Sequence, residues 1–170
     1  MSRLYIGIDN GTSGSIGFYG ESYAEFYLTP VKEELNYTKS KKFIKRIDQL
    51  ALKNMLIENI KAANYELRNC LVIMERPYTG PQTNTVISGA RAFESTLLAI
   101  EELGIPYRYT DSREWQKSVL PKGIVGSVEL KKASKEIGCR LLGENFIKLI
   151  KSHKDADGFL IAYNAYQQKY

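Results

Sequence analysis

Residues 4–9 read Leu-Tyr-Ile-Gly-Ile-Asp, and residues 10–14 continue Asn-Gly-Thr-Ser-Gly. The apolar run has strand length and ends at a glycine-rich turn. It therefore reads as a buried strand that delivers one carboxylate, Asp9, at its tip. The pattern recurs at residues 70–75, Cys-Leu-Val-Ile-Met-Glu, with Glu75 at the end. Near the C-terminus, Asp155 and Asp157 open an apolar helical segment from Phe159 to Tyr166. Carboxylates at two strand ends and one helix start can converge on hard cations, which prefer oxygen ligands. Two such cations about 3.5–4 Å apart catalyse phosphodiester cleavage. The pattern points to a metal-dependent nuclease.

Working outward from these anchors, residues 15–19, Ser-Ile-Gly-Phe-Tyr, read as a second strand after a turn short enough for a hairpin. Tyr23 to Thr29 forms a third. Pro30 to Arg46 is polar and basic and reads as a connection with some extended structure. Asp48 caps a helix from Gln49 to about Glu66, with Leu52, Met55, Leu56, Ile60 and Ala63 on its apolar face. After the strand at 70–75, Pro77, Gly80 and Pro81 break regular structure. A long helix follows from about Asn84 to Leu103. Val86, Ala90, Phe93, Leu97 and Ile100 make one stripe along it, and Gly104 stops it. Tyr107 to Thr110 is a short strand. Asp111 or Ser112 caps a helix through Trp115, and Pro121, Gly123 and Gly126 mark a loop. Ser127 caps a helix with Leu130, Ala133, Ser134 and Ile137 inward and Gly138 at its end. The last helix begins near Asp155. Three meandering strands, then alternating helices and two further strands, predict an α/β fold. It has a mixed sheet with helices on both faces, in a single domain over residues 1–170.

Composition narrows the function classes. The chain has 170 residues, a formal charge of +5 and a pI near 9.1, which suits a polyanionic partner. The charge is unevenly spread. Lys117, Lys122, Lys131, Lys132, Lys135, Arg140, Lys148, Lys151 and Lys154 face only Glu129, Glu136 and Glu144 between residues 117 and 154. Lying just before the last acidic pair, this stretch suits tracking of a phosphate backbone. Cys70, at a strand start, reads as a core residue, and two cysteines with one histidine cannot build an ordinary structural zinc site. No apolar run reaches membrane-spanning length, and no segment resembles a signal peptide. A reduced, cytoplasmic protein without a membrane partner is expected.

The anchors resemble those of the RuvC-type Holliday-junction resolvases, most closely the bacteriophage branch. They are Ile6-Gly7-Ile8-Asp9, then Val72-Ile73-Met74-Glu75-Arg76-Pro77, then the run from His153 to Ala162. Gly89-Ala90-Arg91-Ala92 and the segment from Arg113 to Lys117 are also similar. The resemblance covers nearly the whole chain. It implies a ribonuclease-H-like fold, a homodimer, and magnesium-dependent nicking of branched DNA, in the host cytoplasm if the protein is phage-encoded. It implies two magnesium ions, with manganese able to substitute, and products with 5′-phosphate and 3′-hydroxyl ends. In the family an aromatic at the place of Tyr78 can wedge into the junction. Lys117, Lys122, Lys131, Lys132 and Lys135 are candidate DNA contacts. Val86, Gly89, Ala90, Phe93 and Leu97 are candidate dimer contacts.

One departure matters. The family pattern carries Asp or His three residues before the final Asp, and this chain has Lys154 there. Asp9, Glu75 and Asp157 form the main metal-binding set. Asp155 is the preferred fourth ligand, with His153 the alternative, because carboxylate oxygen suits magnesium better than imidazole does. On a continuous helix, Asp155 and Asp157 would point to nearly opposite sides, so Asp155 can serve only from a position before the helix proper. Two other function classes compete. A branched-DNA-binding protein without catalysis would carry the same basic stretch. An actin-like or sugar-kinase-type ATPase fragment is suggested by Asp9-Asn10-Gly11-Thr12-Ser13-Gly14, but such enzymes enclose the nucleotide between two domains, and a second phosphate loop is missing.

Overall fold

The computed structural model describes residues 2–36, 42–77 and 79–170. Its main sheet has five strands: β1 (Leu4–Asp9), β2 (Ser15–Tyr19), β3 (Ala24–Leu28), β6 (Cys70–Glu75) and β7 (Tyr107–Thr110). They lie in the order β3-β2-β1-β6-β7. β1 pairs antiparallel with β2 and parallel with β6. The meander closes antiparallel at β2–β3, and β6–β7 is parallel. β1 and β6 are therefore central, which is why their sequences are apolar without alternation.

The two faces of the sheet are covered by different helices. Leu4, Ile6, Ile8, Cys70, Val72 and Met74 point to one face, where they meet Leu52, Leu56 and Ile60 of α1 (Gln49–Ala62) and Ala92, Ala99 and Ile100 of α2 (Thr83–Glu102). Tyr5, Leu71 and Ile73 point to the other. There they join Trp115 of α3 (Ser112–Val119), Ala133 and Ile137 of α4 (Ser127–Leu142), Ile150 of α5 (Glu144–Ser152) and the inward side of α6 (Asp157–Gln168). The mixed sheet with helices on both faces is the architecture expected from the sequence.

Several local expectations need correction. Pro30 to Arg46 is more ordered than a connection: β4 (Val31–Leu35) and β5 (Phe43–Ile47) form a separate antiparallel ribbon. Helix α1 stops at Ala62, short of Glu66, and Asn64 turns the chain with φ 58°. Its predicted cap holds, because the Asp48 side chain accepts from the Ala51 amide at 3.0 Å. Ser127 is the first residue of α4 rather than its cap; Gly126, at φ 97°, precedes it. Gly138 does not end that helix, which runs on to Leu142. A Cβ at Gly138 would stand 2.4 Å from Ala156 Cβ, so the glycine permits close packing instead. Helix α6 starts at Asp157, leaving Asp155 outside it. On α2 the buried side is Ala92, Thr96, Ala99 and Ile100; of the expected stripe only Ile100 is fully buried.

The placement of α6 depends on missing side chains. A Cβ on Gly7 would come within 2.2 Å of the Gly158 carbonyl oxygen, and one on Gly17 within 2.1 Å of Phe159 Cα. Gly158 is equally confined, its notional Cβ lying 2.3 Å from the Ser15 carbonyl oxygen. Its amide also donates to Ser15 Oγ at 3.1 Å. Three glycines thus let the first turn of α6 rest directly on the backbones of β1 and β2. Among the described residues, no helix is long and apolar enough to cross a membrane.

Candidate metal centre

The parallel register brings the first two carboxylates together. Ile8 pairs with Met74, so Asp9 and Glu75 follow on neighbouring strands at the same sheet edge. Side chains alternate along a strand. Asp9 therefore emerges on the side of Tyr5 and Gly7, and Glu75 on the side of Leu71 and Ile73. Both face the α6 layer. Gly7, two residues before Asp9 on that face, lets α6 rest on the backbone of β1, and this carries Asp157 to the strand's tip.

Asp9, Asp155 and Asp157 each present an oxygen within 4.8 Å of the other two. Asp155 is fully buried in the segment between α5 and α6. Its Oδ1 accepts from the Asp157 amide at 3.3 Å, a local turn that lets residues two apart aim at one pocket. Glu75 stands beside this tight group rather than in it. Its Oε2 accepts from Trp115 Nε1 at 2.9 Å. His153 ends α5, with Nε2 3.7 Å from Asp155 Oδ1, and lies outside the tight group.

Three side chains that the sequence did not mark as site residues hold the pocket. Trp115, fully buried, orients Glu75. Ser134 donates to Asp157 Oδ1 and accepts from the Ala156 amide at 3.1 Å, tying α4 to the loop before α6. Its inward position on α4 was legible from spacing, but its bonds were not. Lys154, noted only as a departure from the pattern, reaches into the pocket. Its Nζ lies 3.3 Å from Asp9 Oδ2 and 3.6 Å from Asp155 Oδ2.

The electrostatics follow from burial. Desolvation pushes Asp9 up to about 6, with the Asp155 charge adding to it and Lys154 and Lys131 opposing. Burial and the Asp9 charge push Glu75 up to about 7, against the pull of the Trp115 bond. Asp157 is raised by burial and by Asp155, against the Ser134 bond. Burial lowers His153. Burial also opposes the charge on Lys154, yet Asp9 and Asp155 together hold its pKa above the usual value. Such a pocket has more carboxylates than positive charge and favours a cation.

The donor set fits a hard divalent cation. Asp9 Oδ2 and Asp155 Oδ2 are buried oxygens that make no hydrogen bond, and His153 Nε2 is a buried nitrogen that makes none. The Lys154 ammonium near both oxygens offsets only part of their charge, which leaves room for a further cation. Oxygen donors from carboxylates suit magnesium or manganese, and the lone imidazole at the margin does not suggest zinc.

The candidate DNA contacts lie on the α6 side. Lys117, Lys122 and Lys132 are exposed, and Lys131 and Lys135 are half-buried on one face of α4. Lys131 is near enough for its charge to act on both Asp9 and His153. Lys135 donates to the Lys151 carbonyl at 2.7 Å. Tyr78 lies outside the described residues. On α2, Val86, Gly89, Phe93 and Leu97 are half-buried and Ala90 is exposed. Phe93 is engaged within the chain by the Tyr109 ring, 5.5 Å between centroids.

No family model matches the sequence, and no curated protein matches it significantly. Solved structures do. A structure of Thermus thermophilus RuvC in complex with a Holliday junction substrate matches with a TM-score of 0.56 and 15% identity, over 98% of this chain and 94% of that one. A second Thermus thermophilus RuvC structure matches with a TM-score of 0.52 and 16% identity, over 98% and 96%. With the meander, the two parallel strands and the helices on both faces all accounted for, this chain has the RuvC-type, ribonuclease-H-like fold.

Proposed function

We propose that the chain is a divalent-cation-dependent endonuclease that nicks branched DNA, four-way junctions foremost. The observation that carries this reading is the convergence of Asp9 at a strand tip with Asp155 and Asp157 at the start of α6 in a RuvC-type fold. A neighbour of the same fold was solved on a Holliday junction substrate.

Asp9, Asp155 and Asp157 would hold the cation, with Glu75 beside them. A bound magnesium ion would supply Lewis-acid stabilisation of the phosphate and lower the pKa of a water. The protein's own part is positional. Trp115 fixes Glu75, Ser134 fixes Asp157, and the glycine contacts of α6 fix the spacing between the strand tips and the helix start. Lys131 and Lys135 border the pocket and suit the flanking phosphates, which position the duplex without reading its bases. A two-fold dimer would present two such sites to a junction with matching symmetry. We read the whole of residues 1–170 as one nuclease domain. Its assignment to the bacteriophage branch rests on the sequence anchors.

Labelled four-way, three-way and linear duplex DNA, incubated with magnesium or with chelator, tests the proposal. Magnesium-dependent nicks in the branched substrates, lost in Asp9→Asn, are expected. Tight branch binding without cleavage under any metal would instead establish a non-catalytic junction-binding protein.

A further inference from the structure

We propose that the Lys154 ammonium takes the place of a second divalent cation, so that this cluster binds one metal ion rather than two. The inference rests on the nuclease reading and deepens it. Lys154 Nζ approaches Asp9 Oδ2 at 3.3 Å and Asp155 Oδ2 at 3.6 Å. Those are the two buried carboxylate oxygens without hydrogen-bond partners. The ammonium therefore stands where oxygens of two carboxylates converge, against donors that a second ion would also need.

The root of Lys154 is held in place. On its C-terminal side the Ala156 amide donates to Ser134 Oγ at 3.1 Å, and Ala156 packs on Gly138. On its N-terminal side the His153 amide closes α5 by donating to the Leu149 and Ile150 carbonyls at 3.1 Å. The side chain itself is two-thirds buried, 34% exposed. A lysine fixed in this way is a tethered point charge with three donors. It has no ligand atom to offer a metal. At the position three residues before Asp157, where the family pattern carries a further donor, this chain places a cation. That change sets one repelling charge among the carboxylates, while Asp155 at the next position supplies the donor.

Asp9, Glu75, Asp155 and Asp157 carry at most four negative charges between them, and net charge stays within one of neutrality with either one or two divalent ions beside the ammonium; repulsion between neighbouring cations is what disfavours the second ion. Two divalent ions and the ammonium would crowd three cations around shared oxygens. Asp157, held by Ser134 on the side of α4, remains for the single ion together with Asp9 and Asp155.

Counting manganese on the purified, DNA-free chain tests this directly. Manganese bound per chain would be measured by equilibrium titration with paramagnetic resonance of the free ion, in wild type and in Lys154→Met, which keeps length and removes charge. One ion in wild type and two in the variant is the expected result. Two in wild type would overturn the inference and leave the nuclease reading standing. One in both would also overturn it, because Lys154 would not be what excludes the second ion. Uptake by neither would reject the metal-centre reading itself. Thermal melts confirm that the variant is folded; if Lys154→Met does not fold, Lys154→Gln replaces it, and the wild-type count alone already decides against the inference if it is two.

Discussion

Trp115 Nε1 donates to Glu75 Oε2 across 2.9 Å, joining the middle of α3 to the tip of a central strand. Both groups are held: the indole is fully buried, and Glu75 is the last residue of β6. Replacing Trp115 by Phe keeps most of the volume but leaves Glu75 free to rotate. Partners of this kind are worth about 10–100-fold in metal affinity or activity. Trp115→Phe should therefore lower cleavage by about that factor at low magnesium, with much of the loss recovered at high magnesium. A rate unchanged across a magnesium titration would remove Trp115 from the site.

The carboxylates should separate cleavage from binding. Asp9→Asn, Glu75→Gln and Asp157→Asn keep size and lose charge, so each should abolish nicking while junction affinity, measured by gel shift in calcium or chelator, stays near wild type. Asp155→Asn should lose far more activity than His153→Ala, because Asp155 is in the tight group and His153 is not. The reverse order would make His153 the ligand and Asp155 a structural residue.

The pH dependence of the metal-free chain has a definite sign. Asp9 and Glu75 are raised from ordinary values of 3.8 and 4.5 to about 6 and about 7. The folded state then holds protons that the unfolded state has released. Their contribution is full below the ordinary values and is lost as pH rises through about 6 to 7. His153, lowered by burial, works the other way, so the test must isolate the carboxylates. In chelator, Asp9→Asn with Glu75→Gln should melt with a flatter pH profile than wild type between about pH 4 and pH 7. Identical profiles for the two proteins would show that these carboxyls titrate normally.

The two faces of α4 should differ toward DNA. Lys131 and Lys135 lie on the side of the pocket, whereas Lys132 is exposed. Alanine at Lys131 or Lys135 should weaken binding to every DNA tested and reduce the salt slope by up to about 0.9 per lost contact. Alanine at Lys132 should do less. Equal, negligible effects at all three positions would turn this helix away from the duplex.

Self-association can be read from sedimentation at micromolar concentration, where we expect a dimer. A Cβ on Gly89 would meet only Pro77, at 3.9 Å, so the chain's own described residues leave room there. Gly89→Trp should therefore weaken dimerisation while the monomer stays folded. A monomeric wild type that still makes paired nicks would reject the dimer. A dimeric Gly89→Trp would reject only this helix as its interface.

The parts of the fold legible in the sequence were those set by local chemistry. β1, β2 and β6 begin and end where apolar runs meet turn residues, and Asp48 caps α1 with its own side chain. The β4–β5 ribbon was not legible because it has no uniformly buried face; Val31, Leu35 and Phe43 are exposed, and Glu34 pairs with Lys32 and Arg46. Gly138 misled because a glycine in a helix reads as a stop, whereas here it makes room for Ala156. The buried face of α2 was misplaced because it is built from small and polar residues, Ala92, Thr96 and Ala99. At the site, the carboxylates stood out by their positions at element ends. Trp115 and Ser134 did not, because a hydrogen bond between residues 40 or 23 apart leaves no trace in local spacing.

The glycine contact between α6 and the first two strands also fixes when the site can exist. Ser15 and Gly158 meet across 143 positions, so two walls of the pocket are synthesised far apart in time. Chains emerge N-terminus first. Asp9 and Glu75 are therefore made long before the helix that completes their pocket. A nascent chain that has not yet released α6 carries Asp9 and Glu75 without the helix start that encloses their pocket. Any cation binding that needs Asp155 and Asp157 as well therefore waits until α6 has been made.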